Sequence, residues 1–361
     1  MKLVGEDGGG QSRSQGLDGS LTSVHASPNY DFLVSLRALY NPHTYERSRQ
    51  WALTARKAMG PLLYAEGRLF FEGGETALGF GLLRLLPALK TESGPEDFIE
   101  LLRAASPEEC ALLMLDTGET SEAALEYYEA VLRGRSGQKA GLQTKVHELS
   151  GAFAAPSLEV LEDPAGSKER IVQFLERYLK KVFAPDVDRF RVAAERAAGS
   201  ARDLLAMQPN VASVAALTGG YTLSSALAMN QIILAPSVFI YPFMASRIDE
   251  GEGRVLIVFG VRDDDMVGYQ DVIPVEVLGQ IKALSNPHRL QILTLLRTGP
   301  LLGPEFVTRL AVSQPTVHHH MAQLRSTGLV RQERTREGML YSLRGDAAES
   351  LVARLAHFFG I

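Results

Sequence analysis

Four polar side chains near the carboxyl end of the chain have the chemistry needed to contact nucleic-acid bases. They are Gln314, Thr316, His318 and His319. A glutamine amide can donate and accept at once toward adenine in the major groove, whereas histidine and threonine each make one or two hydrogen bonds to base edges or phosphates. We expect this set to contact bases directly, although contacts to phosphate alone would use the same groups.

The same segment contains three consecutive histidines at 318–320, a pattern that also raises the question of a metal site. Successive residues of a helix point about 100° apart, so these three imidazoles cannot converge on one ion. We expect His320 to be packed or half-buried instead. The sequence therefore predicts neither a metal nor a cofactor. The three adjacent aspartates at 263–265 lack the further spaced oxygens of a hard-cation site, so we expect a solvated turn there.

An amphipathic helix is predicted to position the polar set. At about 100° per residue, Val317, Met321 and Leu324 fall on one side and form an apolar stripe. The polar side chains point away from this stripe, so they are the ones available to a partner. Ser313 stands where an N-cap hydroxyl would accept from a free backbone N–H, and Gly328 stands where a helix commonly ends.

A shorter helix is predicted before this one, and two strands after it. The apolar residues of 304–310 recur at helical spacing, and about three residues separate the two helices, as a helix-turn-helix requires. Residues 329–334 and 339–343 are predicted strands joined by a turn at 336–338. Such a hairpin would form a wing beside the second helix.

Positive charge is concentrated in this region. Residues 278–361 contain ten lysines and arginines and five aspartates and glutamates, a formal charge of +5, whereas the preceding 277 residues carry −10. A basic module suits phosphate neutralisation and the release of counterions from a duplex. An ordinary solvated surface also carries arginines, but their joint position beside the helix favours the DNA-binding interpretation. The arginines concerned are Arg325, Arg331, Arg334 and Arg336.

Two stretches of the sequence resemble the ArsR family of bacterial repressors. Residues 283–293 are ALSNPHRLQIL and residues 313–330 are SQPTVHHHMAQLRSTGLV, at the separation usual in that family. The resemblance covers roughly residues 276–344 and implies a winged helix-turn-helix, double-stranded DNA as partner, and repression. The sequence departs from the family at His318, where serine is usual, and the segment 303–310 lacks the cysteines by which many members sense metals.

The resemblance also implies a homodimer whose interface is formed by the first and last helices of the winged domain. A single helix contacts too few base pairs for specificity, and paired recognition helices lie about 34 Å apart on a palindromic site. The last helix has an apolar stripe that the small module could hardly bury alone. Its residues are Leu351, Val352, Leu355, Phe358 and Phe359.

The remaining three quarters of the chain are predicted to form one further domain. We expect a disordered tail at 1–27, where large apolar residues are scarce, a mainly helical domain at 28–275, and the winged domain at 276–361. The predicted fold class is mainly α. It comprises a large helical N-terminal domain with a β-hairpin near its end, followed by a C-terminal winged helix-turn-helix.

The apolar spacing of the helical domain predicts its individual elements. Beyond a first helix that ends at Asn41, helices are expected at 44–59, 61–70, 78–90, 95–105, 107–115, 121–133, 139–149, 167–183, 186–207 and 211–217. A short extended piece is expected at 157–163. After Gln231 the β-rich runs are 232–234, 238–246 and 254–261, and residues 250–253 form the turn of a hairpin between the last two.

The helical domain lacks the signatures of known catalytic sites. The sequence contains no glycine-rich phosphate loop, no HExxH, no GxSxG and no paired cysteines, and the pair Gly219-Gly220 is expected to be a helix end or turn. Cys110 is the single cysteine, and its apolar neighbours predict a core position. We therefore predict no enzyme; a pocket lined by Trp51, Tyr64 or Tyr241 would be the feature that favours one.

The preferred hypothesis for the helical domain is control of DNA binding. No apolar run approaches the 18 residues needed to span a bilayer and no signal peptide is evident, so we expect a cytoplasmic protein without a membrane partner. A large acidic domain fused to a basic DNA-binding module suggests that a small-molecule effector or a protein partner regulates operator affinity. The alternatives are an enzyme fused to a DNA-binding module, and a scaffold that only holds dimer geometry.

Overall fold

The computed structural model of the chain describes residues 14–17, 20–73, 76–134, 141–207, 211–223, 229–241, 243–249, 251–261 and 275–359. Within these residues the fold is mainly helical, as predicted, with two β-sheets. None of the helices described is long and apolar enough to cross a membrane. The aspartates at 263–265 and the side chains of His357, Phe358 and Phe359 lie outside the described residues.

Ten α-helices of the described residues form the helical domain. Side chains that favour caps begin several of them: the hydroxyls of Ser27, Ser106 and Ser121 and the carboxylate of Asp163 accept from backbone N–H groups of the first turn. The helices are α1 (Pro28–Tyr40), α2 (Arg49–Phe71), α3 (Pro95–Ala104), α4 (Pro107–Leu115), α5 (Glu122–Leu132), α6 (Leu142–Ser150), α7 (Ala154–Glu162), α8 (Pro164–Tyr178), α9 (Val187–Met207) and α10 (Val211–Leu217), with a 3₁₀ segment at Leu78–Ala88.

Helix α1 runs through the centre of this domain. All of its residues after the first are buried, which is the behaviour of a helix that must bury every face. It contacts α2, α3, α9, the 3₁₀ segment and a strand of the larger sheet. Aromatic rings fill the space around it: the ring of Phe32 lies 5.3 to 6.4 Å, centroid to centroid, from the rings of Phe98, Tyr178 and Phe183.

Helix α2 contains the break that the sequence predicts between 44–59 and 61–70. Gly60 has φ 78° and ψ 163°, and Pro61 follows it. Glycine adopts positive φ without a Cβ clash, and proline has no N–H to continue the helical hydrogen bonds. The two halves are therefore joined by a kink, and the first begins at Arg49 rather than at residue 44.

The extended piece expected at 157–163 is wrong, because most of this segment belongs to α7. Ser157, Val160 and Leu161 are buried, and their spacing of three and four residues places them on one helical face. Packing of this face against α8 and α6 determines the helix instead.

A five-stranded sheet lies beside the helices, in the order β1-β2-β4-β6-β5. Strand β4 is parallel to both β2 and β6, and β5 and β6 form an antiparallel hairpin in which Asp249 lies opposite Arg254. The predicted hairpin is confirmed, although β5 starts six residues later than the run at 238 suggested. The strands before the winged domain are β1 (Ser14–Leu17), β2 (Ser20–Val24), β3 (Tyr221–Leu223), β4 (Gln231–Ser237), β5 (Met244–Asp249) and β6 (Arg254–Gly260).

The expectation of a disordered tail at 1–27 is wrong for residues 14–17 and 20–27, because the first group and most of the second form strands β1 and β2. Strand β2 pairs in parallel register with β4, Leu21 opposite Gln231 through Val24 opposite Leu234. A strand can pair with an available sheet edge through its backbone hydrogen bonds, without large side chains. A prediction of disorder from the scarcity of large apolar residues therefore misses a strand of this kind. Ser27 then caps α1.

The C-terminal unit is a helix-turn-helix followed by a β-hairpin. It has its own apolar core, separate from that of the helical domain, and this core includes Ile292, Phe306, Val317, Leu324 and Tyr341. Its elements are α11 (Val275–Leu284), α12 (Pro287–Leu296), β7 (Leu301–Leu302), α13 (Gly303–Leu310), α14 (Gln314–Ser326), β8 (Val330–Thr335), β9 (Gly338–Leu343) and α15 (Gly345–Phe359).

A buried carboxyl group joins α1 to the end of β4. Asp31 Oδ1 accepts from Ser237 Oγ at 2.7 Å and from the Val238 N–H at 2.9 Å. Burial raises the pKa of Asp31 to about 7, and these hydrogen bonds only partly oppose that effect. The group thus fastens the central helix to the sheet, and its ionised form is the disfavoured one.

We predict that Asp31→Asn makes the protein more stable near pH 8 and flattens the pH dependence of its stability. The folded protein holds the Asp31 proton up to about pH 7, whereas an unfolded chain releases it near pH 4. The stability that the protonated group contributes is therefore complete below about pH 4 and is lost as the pH rises through about 7. An asparagine Oδ1 can accept the same two hydrogen bonds. Urea unfolding across this pH range measures the difference.

The exposed Asp203 on α9 provides the matched control. Asp203→Asn should leave the pH profile of the parent protein unchanged. If Asp31→Asn and the parent lose stability in parallel between pH 4 and 7, the buried carboxyl is not the titrating group.

Candidate nucleic-acid interface

Helix α14 begins and ends where the sequence predicts. Ser313 is its N-cap, and the Ser313 hydroxyl accepts from the Thr316 N–H at 3.4 Å and contacts the Thr316 hydroxyl at 2.8 Å. Pro315 lies in the first turn, where a missing N–H costs nothing. At the other end Gly328 has φ +72°, the left-handed conformation that ends a helix.

One face of α14 is fixed in the core of the C-terminal unit. Val317, Met321 and Leu324 are at most 1% exposed and pack with the residues of that core. Helix α13 packs beside α14, and the turn between them passes through Ala311 at φ 53°. Alanine in the left-handed region carries a small strain, which the packing of the two helices outweighs.

His320 is buried, as expected, and is not available to a base. Its side chain stacks on His288 with ring centroids 5.5 Å apart. Burial first, and the nearby His319 and Arg289 second, lower the pKa of His320 to about 4. The imidazole is therefore neutral at pH 7. Among the described residues no three histidine, cysteine or acidic side chains are grouped as a metal site requires.

The opposite side of α14 faces the helical domain. We call this side the outer face; it consists of Gln314, Pro315, His318, His319 and Ala322. Ala322 is only 9% exposed and belongs to the apolar core of the helical domain, and His318 Nδ1 lies 2.8 Å from Oε1 of Glu119. The side predicted to be available to a partner is thus turned toward the rest of the chain, although Gln314 and His319 retain exposed side chains.

The loop that presents Glu119 to α14 is held by its own hydrogen bonds. The Thr120 hydroxyl donates to the Leu115 carbonyl at 2.8 Å and accepts from the Thr117 N–H at 3.2 Å. Asp116 accepts from the Gly118 N–H and forms an ion pair with Arg84 at 2.5 Å. Sequence reasoning missed this loop, because nothing in a short polar segment between two helices indicates a contact with a helix so distant along the chain.

A cavity of about 600 Å³ lies between the outer face of α14 and the helical domain. All five residues of the outer face contribute to its wall. The helical domain contributes Thr117 and Glu119 from the loop after α4, together with side chains of α5, α6 and α7 and of the segments before α2 and β5. The largest apolar side chains of the wall are Tyr45, Leu115, Tyr128, Leu149, Phe153 and Phe243.

Arg325 is not at the surface, contrary to the expectation that it meets phosphates directly. Its side chain is 3% exposed, and Nη1 lies 3.5 Å from the Thr218 carbonyl oxygen. Arg325 lies about one helical turn after Ala322. The packing of the helical domain against α14 therefore covers both side chains. A contact with DNA would require α14 to separate from Thr218.

The arginines of the hairpin are more accessible. Arg331 and Arg336 are exposed, and Arg334 is half-buried. Strands β8 and β9 pair antiparallel, Val330 opposite Leu343, which is the predicted hairpin. The hairpin is part of a larger sheet in the order β3-β8-β9-β7, so a strand that precedes the domain boundary extends it.

The glycine pair before β3 allows this extension. Gly219 and Gly220 form the predicted turn after α10, with φ of 69° and 94°. A Cβ at Gly219 would lie 3.3 Å from the Arg325 carbonyl oxygen, and one at Gly220 would lie 3.4 Å from that of Val330. Glycine therefore permits the left-handed backbone at both positions and, at Gly219, a tight approach to the C-terminal unit.

The residues expected at a dimer interface are only partly free for that role. Leu351 is 3% exposed in the core of its own C-terminal unit, and the half-buried Leu355 packs against that core. The expectation that the module could hardly bury this stripe alone is therefore wrong for Leu351. Val352, by contrast, is 67% exposed.

The aromatic residues considered for an enzyme pocket each pack against another side chain. Trp51 packs on Phe239, Tyr64 stacks on Tyr40, and the ring of Tyr241 lies under the guanidinium of Arg47. None of the three lines the cavity beside α14.

Cys110 occupies the predicted core position. It is completely buried, and burial raises the pKa of its thiol to about 12. A thiolate is the reactive form of cysteine, so this side chain is a packing residue at neutral pH.

The profile of bacterial regulatory proteins of the arsR family matches residues 286–332. The HTH-type transcriptional regulator YgaV of Escherichia coli (strain K12) is 31% identical over 80 residues, which are 22% of this chain and 81% of YgaV. The transcriptional activator HlyU of Vibrio cholerae is 32% identical over 79 residues, 22% of this chain and 73% of HlyU. The arsenical resistance operon repressor of Staphylococcus xylosus is 38% identical over 63 residues, 18% of this chain and 61% of that repressor.

A solved structure of HlyU covers 26% of this chain and 100% of its own length, at 27% identity and a TM-score of 0.21. The profile match spans α12 to the start of β8, which is the helix-turn-helix described above. With relatives matched over most of their own length, the chain belongs to the ArsR family of bacterial transcriptional regulators.

Proposed function

We propose that this protein is a sequence-specific DNA-binding repressor that acts as a homodimer and whose helical domain senses a small molecule. The observation that carries the proposal is α14, a capped helix of ArsR type whose outer face carries hydrogen-bonding side chains. The charge of the C-terminal unit supports it, since a basic module attached to an acidic domain suits an anionic duplex.

Each residue of the interface has a proposed role. Gln314, Thr316, His318 and His319 contact base edges, and Ser313 supports the start of the helix near the backbone. Arg331, Arg334 and Arg336 neutralise phosphates beside the groove. Arg325 joins them only after α14 has left its buried contact with Thr218.

The closed arrangement of α14 supports control by the helical domain. A major groove about 12 Å wide accepts a helix only when the helical face that enters it is clear. Here the helical domain occupies the space in front of the outer face, with Glu119 on His318 and an apolar core on Ala322. DNA binding therefore requires an open state in which these contacts are broken. Any factor that stabilises the closed state lowers the population of the open state and so weakens DNA binding.

Repression is the simpler sign of regulation for such a protein. A dimer that occupies a promoter blocks it without any further contact to the transcription machinery. The names of the relatives include an activator as well as a repressor, so a promoter-reporter assay in cells with and without the protein decides the sign. Localisation in the cytoplasm remains a prediction that goes with this role.

An enzyme fused to a DNA-binding module is the second candidate. His318 and Glu119 form a histidine–carboxylate pair beside a cavity, which is the arrangement that general acid–base chemistry uses. We interpret the pair as a docking contact, because His318 belongs to the helix of the family match and leaves Glu119 whenever α14 opens.

Helices α11 and α15 are the proposed dimer surface. They contact each other, and each carries a large exposed apolar side chain, Ile281 at 43% and Val352 at 67% exposure. Burial of apolar side chains of this kind stabilises a symmetric interface. Leu351 and Leu355 would then support the interface from the core rather than contact the partner.

We predict that Gln314→Ala and His319→Ala each weaken binding to the preferred duplex by about 1 to 3 kcal/mol and relax the preference at one base position. Arg334→Ala should weaken binding to all sequences nearly alike and reduce the salt dependence by about one phosphate contact. Selection from random duplexes identifies the preferred sequence, and titrations at several salt concentrations then measure the three variants.

Lys181→Ala is the control for lost charge, because Lys181 is exposed on the helical domain. It should leave both affinity and salt dependence unchanged. Equal, sequence-independent losses from all three interface variants would reassign Gln314 and His319 to the phosphate backbone. Failure of the protein to select any duplex would contradict the proposed function itself.

We predict that the protein is a dimer at micromolar concentration and that Val352→Asp shifts it toward monomer. A charged group at a buried apolar contact loses hydration without gaining a partner. Sedimentation velocity measures the shift. Leu62→Asp is the matched control, since Leu62 is 81% exposed on α2, far from the proposed surface along the chain. A monomeric parent protein would refute the dimer.

A further inference from the structure

The cavity beside α14 has the size and composition of a small-molecule site. Its volume of about 600 Å³ lies within the range of about 300 to 1,000 Å³ that such sites occupy. Rings of Tyr45, Tyr128, Phe153 and Phe243 form much of its wall, and the rings of Tyr45 and Phe243 pack edge to face with centroids 5.3 Å apart. These two rings of the apolar wall therefore support each other.

Hydroxyl groups are distributed among these rings. Tyr128 is hydrogen-bonded to Ser150, and Thr117 to Thr120, within the helical domain. Each hydroxyl group can donate one hydrogen bond and accept others. A bound molecule can therefore use the donor or acceptor positions that the bonds within the protein do not occupy. A few fixed polar groups in an apolar wall orient a ligand and give it specificity.

The charges of the wall exclude ionic ligands. No lysine or arginine contributes to the lining among the residues that the structure describes, so an anion would have no strong counter-charge there. The one carboxylate, Glu119, already pairs with His318, so a cation would have to displace that imidazole. An uncharged molecule disturbs neither arrangement.

We propose that this cavity binds an uncharged, mainly apolar organic molecule with hydrogen-bonding groups, and that the bound molecule holds α14 in the closed position and excludes DNA. This inference rests on the proposed function. The five residues of the outer face complete the wall, so the full site exists only in the closed state. The same face must leave the cavity to enter a major groove, so ligand and operator bind different states.

The coupling between the two sites is therefore negative and reciprocal. A ligand lowers operator affinity by the same factor by which the operator lowers ligand affinity. For a repressor, this sign means that the ligand releases the gene from control. The cavity thus provides the small-molecule control that the large acidic domain suggests.

Two dyes that share one apolar body test the chemistry of the site. N-phenyl-1-naphthylamine is uncharged, and 1-anilino-8-naphthalenesulfonate adds a sulfonate to the same ring system. We expect the uncharged dye to bind the full-length protein at one saturable site and the anionic dye to bind at least about tenfold more weakly, since neither lysine nor arginine contributes to the described wall. Equal binding of both dyes, or of neither, overturns the assigned ligand class.

Competition with DNA tests the coupling in the parent protein. Saturating uncharged dye should lower affinity for the selected duplex, and the duplex should displace the dye. If both bind together with unchanged affinities, the inference fails while the proposed function stands. If no duplex is selected at all, the proposed function fails first, so the two failures are distinguishable.

Two variants of the helical domain locate the effect. Ser157→Phe places a ring in the cavity from a buried position on α7, and should abolish dye binding while preserving operator binding. Glu119→Ala removes the partner of His318 and should tighten operator binding by about two- to fivefold, the size of a partly exposed ion pair. Glu122→Ala, at an exposed position of α5 outside the cavity, is its matched control.

Dye that still binds to Ser157→Phe with its original affinity places the site elsewhere and overturns the inference. Equal operator affinity of the Glu119→Ala and Glu122→Ala variants overturns the docked state as the source of control. Thermal melting confirms that each variant is folded, and the competition experiment on the parent protein decides the coupling even where Ser157→Phe does not fold.

Discussion

Helix α14 has one outer face, which contacts the helical domain in this structure and contacts DNA in the proposed function. Its inner face is fixed by Val317, Met321 and Leu324 in the C-terminal core. The helix therefore cannot turn about its axis to offer a different face to a second partner. In the proposed function, the outer face lies either against the helical domain, as in this structure, or in a groove of DNA. In the proposed function, this exclusion, which follows from the geometry of one amphipathic helix, lets the large helical domain control DNA binding.

The contacts that hold the outer face differ in kind. Ala322 joins an apolar core, Arg325 is buried beside Thr218, and His318 meets a carboxylate that is 38% exposed. Partly exposed ion pairs contribute little, whereas buried apolar contacts contribute in proportion to their area. Ala322 presents only a methyl group, so these contacts hold the outer face modestly, as the proposed opening of α14 requires.

Local signals in the sequence predicted the elements of the interface well. The hydroxyl of Ser313, the proline after it and Gly328 define α14, and the Gly60-Pro61 break in α2 follows from the same backbone rules. These features depend on neighbours within one or two turns. The sequence also predicted that His320 is packed, because the helical period places it beside the apolar stripe.

Contacts between distant segments were beyond such reasoning. The periodicity of α14 identifies a free polar side, but not that Glu119 would meet His318 or that Arg325 would be buried. The composition of residues 20–24 predicts disorder, because composition says nothing about the available edge of β4 with which this strand pairs. In each case the deciding partner lies elsewhere in the chain, and one sequence carries no signal of the pairing.

The parallel pairing of β3 with β8 has a consequence for the C-terminal unit as a separate molecule. Tyr221–Leu223 covers the backbone groups of residues 332–334, which would otherwise form an open edge of the sheet. Open edges recruit strands from other molecules and promote aggregation. A fragment limited to residues 275–361 would lose this cover, so the segment from α10 onward also protects the solubility of the hairpin.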